Sequence, residues 1–227
     1  MIAREETMES TIMQDEMYKV MPVLDPDGSD SARLDNCLEF LVLNGIPLPM
    51  AVMITIPEPW ENDRAMSQEK KDFYQYYATM MEPWDGPASI LFTDGELMGA
   101  VLDRNGLRPS RYYITDDDYL VLSSEVGVLD VDPSKIVKKD RLRPGKMLLV
   151  DTVNGRLISD EEIKEKYALA KPYGEWVDSN LVHLADLKIP NIRVQEYTDE
   201  ERARLQKAFG YTCLLYTSPS PRDSTSS

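Results

Sequence analysis

The sequence is short of the side chains that most often bind metals or act as nucleophiles: one histidine, His183, and two cysteines, Cys37 and Cys213, in 227 residues. The cysteines stand far apart with no CxxC pair. That argues against a disulfide framework or a zinc knuckle and fits a reducing compartment. His183 lies among Leu181, Val182 and Leu184. It is expected as a packed side chain, because a catalytic histidine needs a nucleophile or metal partner and none is in evidence. No apolar run approaches the roughly 18 residues of a membrane-spanning helix. The first residues, MIAREETMES, carry charges where a signal peptide has its apolar stretch. Basic residues are also in deficit, 25 against 40 acidic ones, for a formal charge of −15. Such a surface repels nucleic acid and anionic lipid. These absences predict a soluble, non-secreted protein with no nucleic-acid or membrane partner. The one basic run, Lys138, Lys139, Arg141 and Arg143, is broken by Asp140 and reads as a solvated strand edge.

What is present supports a core. Apolar residues make up 42% of the chain, enough for one domain, or one domain and the start of a second. From Ser31 to Leu43 the apolar residues Leu34, Cys37, Leu38, Leu41 and Val42 recur at helical spacing, and Asn44-Gly45 supplies a C-cap. Cys37 sits on that stripe and reads as a small core residue. A second helix is predicted from Ser67 to Met81, with Ser67 as N-cap and Phe73, Tyr77, Met80 and Met81 facing inward. Three hairpins follow: ASILF with LMGAVLD across Asp94-Gly95, RYYIT with YLVLSS across DDD, and KMLLVD with RLIS across Asn154-Gly155. DEEIKEKYALA then reads as an amphipathic helix with acidic residues in its first turn. Residues 171–210 read as an irregular connector with one helix near 198–209. The tail SPSPRDSTSS is low-complexity, and residues 213–227, Cys213 included, are set apart as a non-native, disordered tail. Helices, then antiparallel strands, then helices predict an α+β layered domain.

Four stretches resist a purely structural explanation. In DPDGSDSARLDN, residues 25–36, Asp30 either caps the following helix or holds a ligand ammonium through a charge-assisted bond. In LDRNGLRPSRYY, residues 102–113, Asp103 and Arg108 are placed to lock the turn as a bidentate pair. LSSEVGVLD puts a carboxylate after a strand, and RLRPGKMLLVD makes a Pro-Gly turn into one.

The order of these stretches is more specific than any one of them. SDSA before a helix, a D-x-x-G-x-R-P turn, a Ser-Ser-Glu strand end and a Pro-Gly turn together resemble the class II glutamine amidotransferases. The resemblance runs from about residue 20 to about residue 160. VLDPDGSDSARLDNCLEFLV, PEPWEND, FYQYYATMMEPWDGPASILFTDG, KPYGEW and KAFGYT narrow it to the large chains of glutamate synthases.

The resemblance implies an N-terminal-nucleophile hydrolase fold, a four-layer α/β/β/α sandwich, present here in part. It implies L-glutamine as substrate, with an N-terminal cysteine attacking its side-chain amide and the cysteine's own α-amino group as base. Asp30 matches the position whose carboxylate binds the α-amino group of glutamine. Asp103, Gly106 and Arg108 match the turn motif, with a structural role. The nucleophile, the Asn-Gly oxyanion pair and a carboxylate-gripping arginine all belong upstream of SDSA. The Asn-Gly pairs at Asn44, Asn105 and Asn154 lie downstream and read as turns, so no catalytic residue is expected here and the chain is expected to be inactive alone. FMN and an iron–sulfur cluster are implied for later parts of the parent, as are its remaining domains as partners. Residues 1–165 are expected as the C-terminal part of the amidotransferase domain and 166–212 as a connector. A cytoplasmic location is implied, or plastid stroma for a plant or alga. Another class II amidotransferase, or a non-catalytic module on the same sandwich, are the alternatives.

Overall fold

The computed structural model describes residues 9–187 and 196–210. Ser29 opens α1 (Asp30–Leu43) by accepting the Ala32 N–H, so Asp30 is the first helical residue rather than the cap. Leu34, Cys37, Leu38, Phe40 and Leu41 are buried, and Gly45 at φ +80° turns the chain after Asn44. The next helix, α2 (Leu48–Thr55), has no counterpart among the sequence expectations. Its residues from Pro49 to Thr55 are all buried. A helix that is apolar on every side shows no period to read. The Thr55 hydroxyl donates to the Ala51 carbonyl at 2.9 Å, which satisfies the one polar side chain there. Ser67 caps α3 (Gln68–Ala78), which buries Phe73, Tyr74 and Tyr77. Met80 falls beyond the helix end and is exposed, not inward as its spacing suggested.

Seven strands follow: β1 (Ser89–Thr93), β2 (Leu97–Leu102), β3 (Arg111–Thr115), β4 (Leu120–Ser123), β5 (Ile136–Arg141), β6 (Met147–Asp151) and β7 (Arg156–Ile158). The three predicted hairpins form, and they are distributed over two antiparallel sheets, ordered β1-β2-β6-β7 and β4-β3-β5. Side chains alternate across the first sheet. Val101, Met147 and Leu149 pack with the helices, whereas Ala100, Leu102 and Leu148 pack with Tyr112 and Leu142 of the second sheet region. A one-residue slip of β2 would exchange the two faces, so burial on both sides sets the register. The second apolar cluster contains no helix residue. Among the described residues the order is therefore helices, sheet, sheet: three of the four layers expected, a partial sandwich. Lys138, Lys139 and Arg141 of the basic run lie on β5, an edge strand among the described residues and exposed from Val137 onward, as the sequence suggested, and Arg143 follows just beyond it.

Ser159 caps α4 (Asp160–Ala168). Residues 171–180 depart from the expected irregular connector, because Tyr173–Asn180 form α5. Tyr173 is 1% exposed, its ring 5.3 Å from Phe73, 5.3 Å from Tyr76 and 5.7 Å from Tyr77. Aromatic edges and faces hold α5 to α3, at a helix too short to stand alone. Two compact units divide the chain, Met1–Leu181 and Val182–Ser227. In the second, α6 (Asp199–Ala208) carries a capping box between Thr198 and Glu201 and buries no residue. His183 is exposed, contrary to the packed role its neighbours suggested. The predicted tail lies outside the described residues.

Candidate functional site

The DPDGSDSARLDN stretch is held from within. Arg33 donates through Nε to the Asp25 carbonyl at 3.0 Å and through its guanidinium to the Pro26 carbonyl. Asn36 Oδ1 accepts the Asp25 N–H at 3.1 Å, and Asp25 Oδ1 accepts the Asp27 N–H at 2.9 Å. These bonds fold the loop onto α1 and commit the Arg33 guanidinium to backbone carbonyls. Asp30 is left exposed in the first turn, and among the described residues no hydrogen bond or ion pair engages its carboxylate. The helix N-terminus favours negative charge there. Solvated, and without a partner among the described residues, this carboxylate can accept an ammonium.

Ser29 and Ser31, on either side of Asp30, line a groove of about 890 Å³ between α1 and the β1–β2 hairpin. Leu38, Ile90 and Phe92 contribute apolar surface to it. Phe92 faces Gly99 across the hairpin, and a Cβ on Gly99 would stand 2.1 Å from the ring, so only glycine lets the ring lie there. The outer edge of β1 has no strand partner among the described residues.

The D-x-x-G-x-R-P turn differs in detail from its sequence reading. Asp103 is 3% exposed, and its carboxylate accepts three backbone amides: Ala88 at 3.0 Å, Asn105 at 2.9 Å and Gly106 at 3.2 Å. Arg108 does not complete a bidentate pair with it. That side chain is exposed, and no ion pair of it occurs among the described residues. The Asn105 and Gly106 amides reach Asp103 first because they sit two and three residues on, the local geometry that aspartate favours in turns. Gly106 adopts φ +59°.

A second carboxylate centre was not legible in the sequence. Lys164 of α4 is buried with Glu58 and Asp160, at 2.9 Å and 2.8 Å. Lys146 joins Asp160 at 2.8 Å and Glu58 at 3.5 Å, and the Tyr74 hydroxyl donates to Glu58 at 3.1 Å. Burial alone would raise the Asp160 carboxyl. The Lys164 charge and hydrogen bonds from Lys146, Lys164 and the Met147 N–H outweigh it and hold the group below its ordinary value. Burial, then the Glu58 charge, pushes the Tyr74 hydroxyl well above the usual phenol range. Lys164 looked like any surface lysine of an amphipathic helix. Its position between Ile163 and Tyr167, both buried, was the available hint.

Cys37 is fully buried, and burial pushes its thiol up to about 11. A thiol so placed is a packing group, with too little thiolate near neutrality to attack a substrate. No cluster of three or more potential metal ligands occurs among the described residues, and none of their helices is long and apolar enough to cross a membrane.

The family described as class II glutamine amidotransferases matches residues 1–176. The chain is 49% identical over 212 residues to the glutamate synthase (NADPH) large chain of Bacillus subtilis, covering 93% of this chain and 14% of that one. It is 48% identical over 185 residues to the glutamate synthase (NADH) of Schizosaccharomyces pombe, covering 81% and 9%. It is 41% identical over 215 residues to the ferredoxin-dependent glutamate synthase 1 of Arabidopsis thaliana, covering 93% and 13%. The chain thus spans 14% or less of the length of these relatives. With the family match reaching from the first residue into α5, and with helices packed on paired antiparallel sheets as that fold requires, this chain belongs to the class II glutamine amidotransferases.

Proposed function

We propose that these residues are part of the glutaminase domain of a glutamate synthase, in which L-glutamine is hydrolysed and its ammonia is passed to 2-oxoglutarate to make L-glutamate. Asp30 carries the reading. Its carboxylate, unengaged among the described residues, stands at the start of α1, with Ser29 and Ser31 beside it at the groove. There it binds the α-ammonium of glutamine by a charge-assisted hydrogen bond and so fixes the substrate's orientation. Asp103 and Gly106 shape the turn beneath β2, and Arg108, exposed, is available to another part of the polypeptide.

The reaction needs a nucleophile that Cys37 cannot supply. An N-terminal cysteine elsewhere in the polypeptide attacks the side-chain amide carbon, and its thiol proton passes through the α-amino group to the departing ammonia. The carbon–nitrogen bond breaks as the thioester forms, and water then releases glutamate. Alone, the present chain is inactive. An iron–sulfur cluster needs a set of cysteine thiolates. The two cysteines here do not fit one, since Cys37 is sealed in the core. The cluster is therefore assigned to other parts of the synthase, as FMN is by the family resemblance, and no step is routed through them here. The connector toward those parts, expected from residue 166, is proposed to begin only after α5; the packing of Tyr173 against Phe73 of α3 supports this.

A glutaminase assay on this chain, beside one extended upstream to a processed cysteine, tests the reading. Ammonia release from the extended chain alone, lost on Asp30→Ala, is the expected result. Release from the present chain would overturn it.

A further inference from the structure

Four charged side chains, Glu58, Lys146, Asp160 and Lys164, meet largely out of water where the segment after α2, the helix α4 and the turn into β6 come together. The Lys164 side chain is 3% exposed, and its ammonium has three acceptors: the Gly145 carbonyl at 2.7 Å, Glu58 at 2.9 Å and Asp160 at 2.8 Å. An ammonium has three donors, so this one is fully used. Lys146 neutralises the second carboxylate, and Asp160 also accepts the Met147 N–H at 2.8 Å. Gly145 relays the arrangement. Its carbonyl accepts from Lys164 while its N–H donates to the Asp103 carbonyl at 3.2 Å, and the Asp103 carboxylate holds the amides of Ala88, Asn105 and Gly106. A Cβ on Gly145 would stand 2.7 Å from the Glu58 Cβ, so the backbone at 145 lies directly against the Glu58 segment.

We infer that the Lys164 network is a coupling device, which admits one docking of α4 and transmits the position of that helix to the Asp103–Gly106 turn. The inference concerns this chain's own fold and does not depend on the proposed glutaminase reading. Ile163, Tyr167 and Ala168 bury the apolar face of α4, and apolar contact is non-directional, so it tolerates sliding. Three directed bonds from one buried ammonium do not. A shift of α4 that breaks them leaves uncompensated charge out of water, a strongly penalised state. The helix, the Pro144–Gly145 turn and the Asp103 turn therefore move as one piece.

The test is amide hydrogen exchange, read by mass spectrometry over residues 103–107 and 145–147, on this chain and two variants. Lys164→Met leaves two buried carboxylates with one cation. Its Tm is expected to fall by roughly 10 °C, with exchange in both segments faster by about tenfold or more. Glu58→Gln with Lys164→Met removes one charge of each sign. It is expected to recover most of the lost Tm yet keep the fast exchange, because balance is restored without the directed bonds. Wild-type exchange in either variant would overturn the inference. So would a double variant as unstable as the single one, which marks a stability role alone. If Lys164→Met fails to fold, the double variant decides by itself.

Discussion

A Cβ placed on Gly106 would stand 2.6 Å from Cγ of Pro144, so the Asp103 turn and the Pro-Gly turn are in contact with no space between them. The same glycine has φ +59°, a left-handed conformation that side chains disfavour. Gly106→Ala is therefore expected to destabilise the fold by about 2–4 kcal/mol, strain and overpacking together. Thermal unfolding measures this. A Tm unchanged from wild type would mean that the two turns separate readily.

Asp30 makes the opposite prediction, for function without stability. Ser29 is the cap and Asp30 is exposed, so Asp30→Asn removes only the interaction of its charge with the helix dipole, about 0.3–1 kcal/mol. In a chain extended to the nucleophile, the same change is expected to lower kcat/KM for glutamine by roughly 10- to 150-fold, the worth of a charged hydrogen bond. Chemical unfolding and ammonia release, run on one preparation, separate the two effects.

Asp160 predicts a pH limit. Its folded carboxyl is held below the ordinary value of 3.8, so it contributes stability that is present above that value and lost as pH falls through the folded one. Acid unfolding is expected below about pH 4, and Asp160→Asn should flatten that limb of the stability curve. Lys146 has the opposite sign. Burial pulls its ammonium down, but Asp160 and Glu58 outweigh this and raise it, so its contribution is present below 10.5 and lost as pH rises through the folded value. Stability measured by denaturant at a series of pH values tests both.

Cys37 should resist modification. With Cys213 replaced by serine, a thiol reagent at pH 7 is expected to react only on global unfolding, since the Cys37 side chain is inaccessible and its thiol sits at about 11. Fast labelling of the folded chain would mean that α1 opens locally and that the buried stripe is less secure than its packing indicates.

The edge of β1, without a strand partner among the described residues, predicts association. Edge strands invite pairing unless charge or a bulge blocks it. β5 carries Lys138, Lys139 and Arg141, whereas β1 reads SILFT and exposes Leu91 at 65%. Concentration-dependent self-association of the isolated chain is expected in light scattering, reduced by Leu91→Lys. A monodisperse wild type at high concentration would count against this.

Local chemistry was readable from residues a few positions apart. The stripe of α1, the Ser67 cap, the turns at Gly95 and Gly155 and the place of Asp30 at a helix start all depend on contacts within one turn or one hairpin. Those energies belong to the segment itself, so the sequence alone determined them, and the order of its motifs determined the family. Other features waited for the tertiary structure. α2 has no period because it is buried on all sides, and α5 forms because Tyr173 finds the aromatic face of α3. Asp103 and Arg108 were matched as opposite charges, yet the nearer backbone amides took the carboxylate. Lys164 had every appearance of a solvated lysine, and its acceptors come from Gly145 and Glu58 as well as its own helix. Buried charge is stable only when distant segments deliver their partners together, and that delivery is a property of the assembled fold.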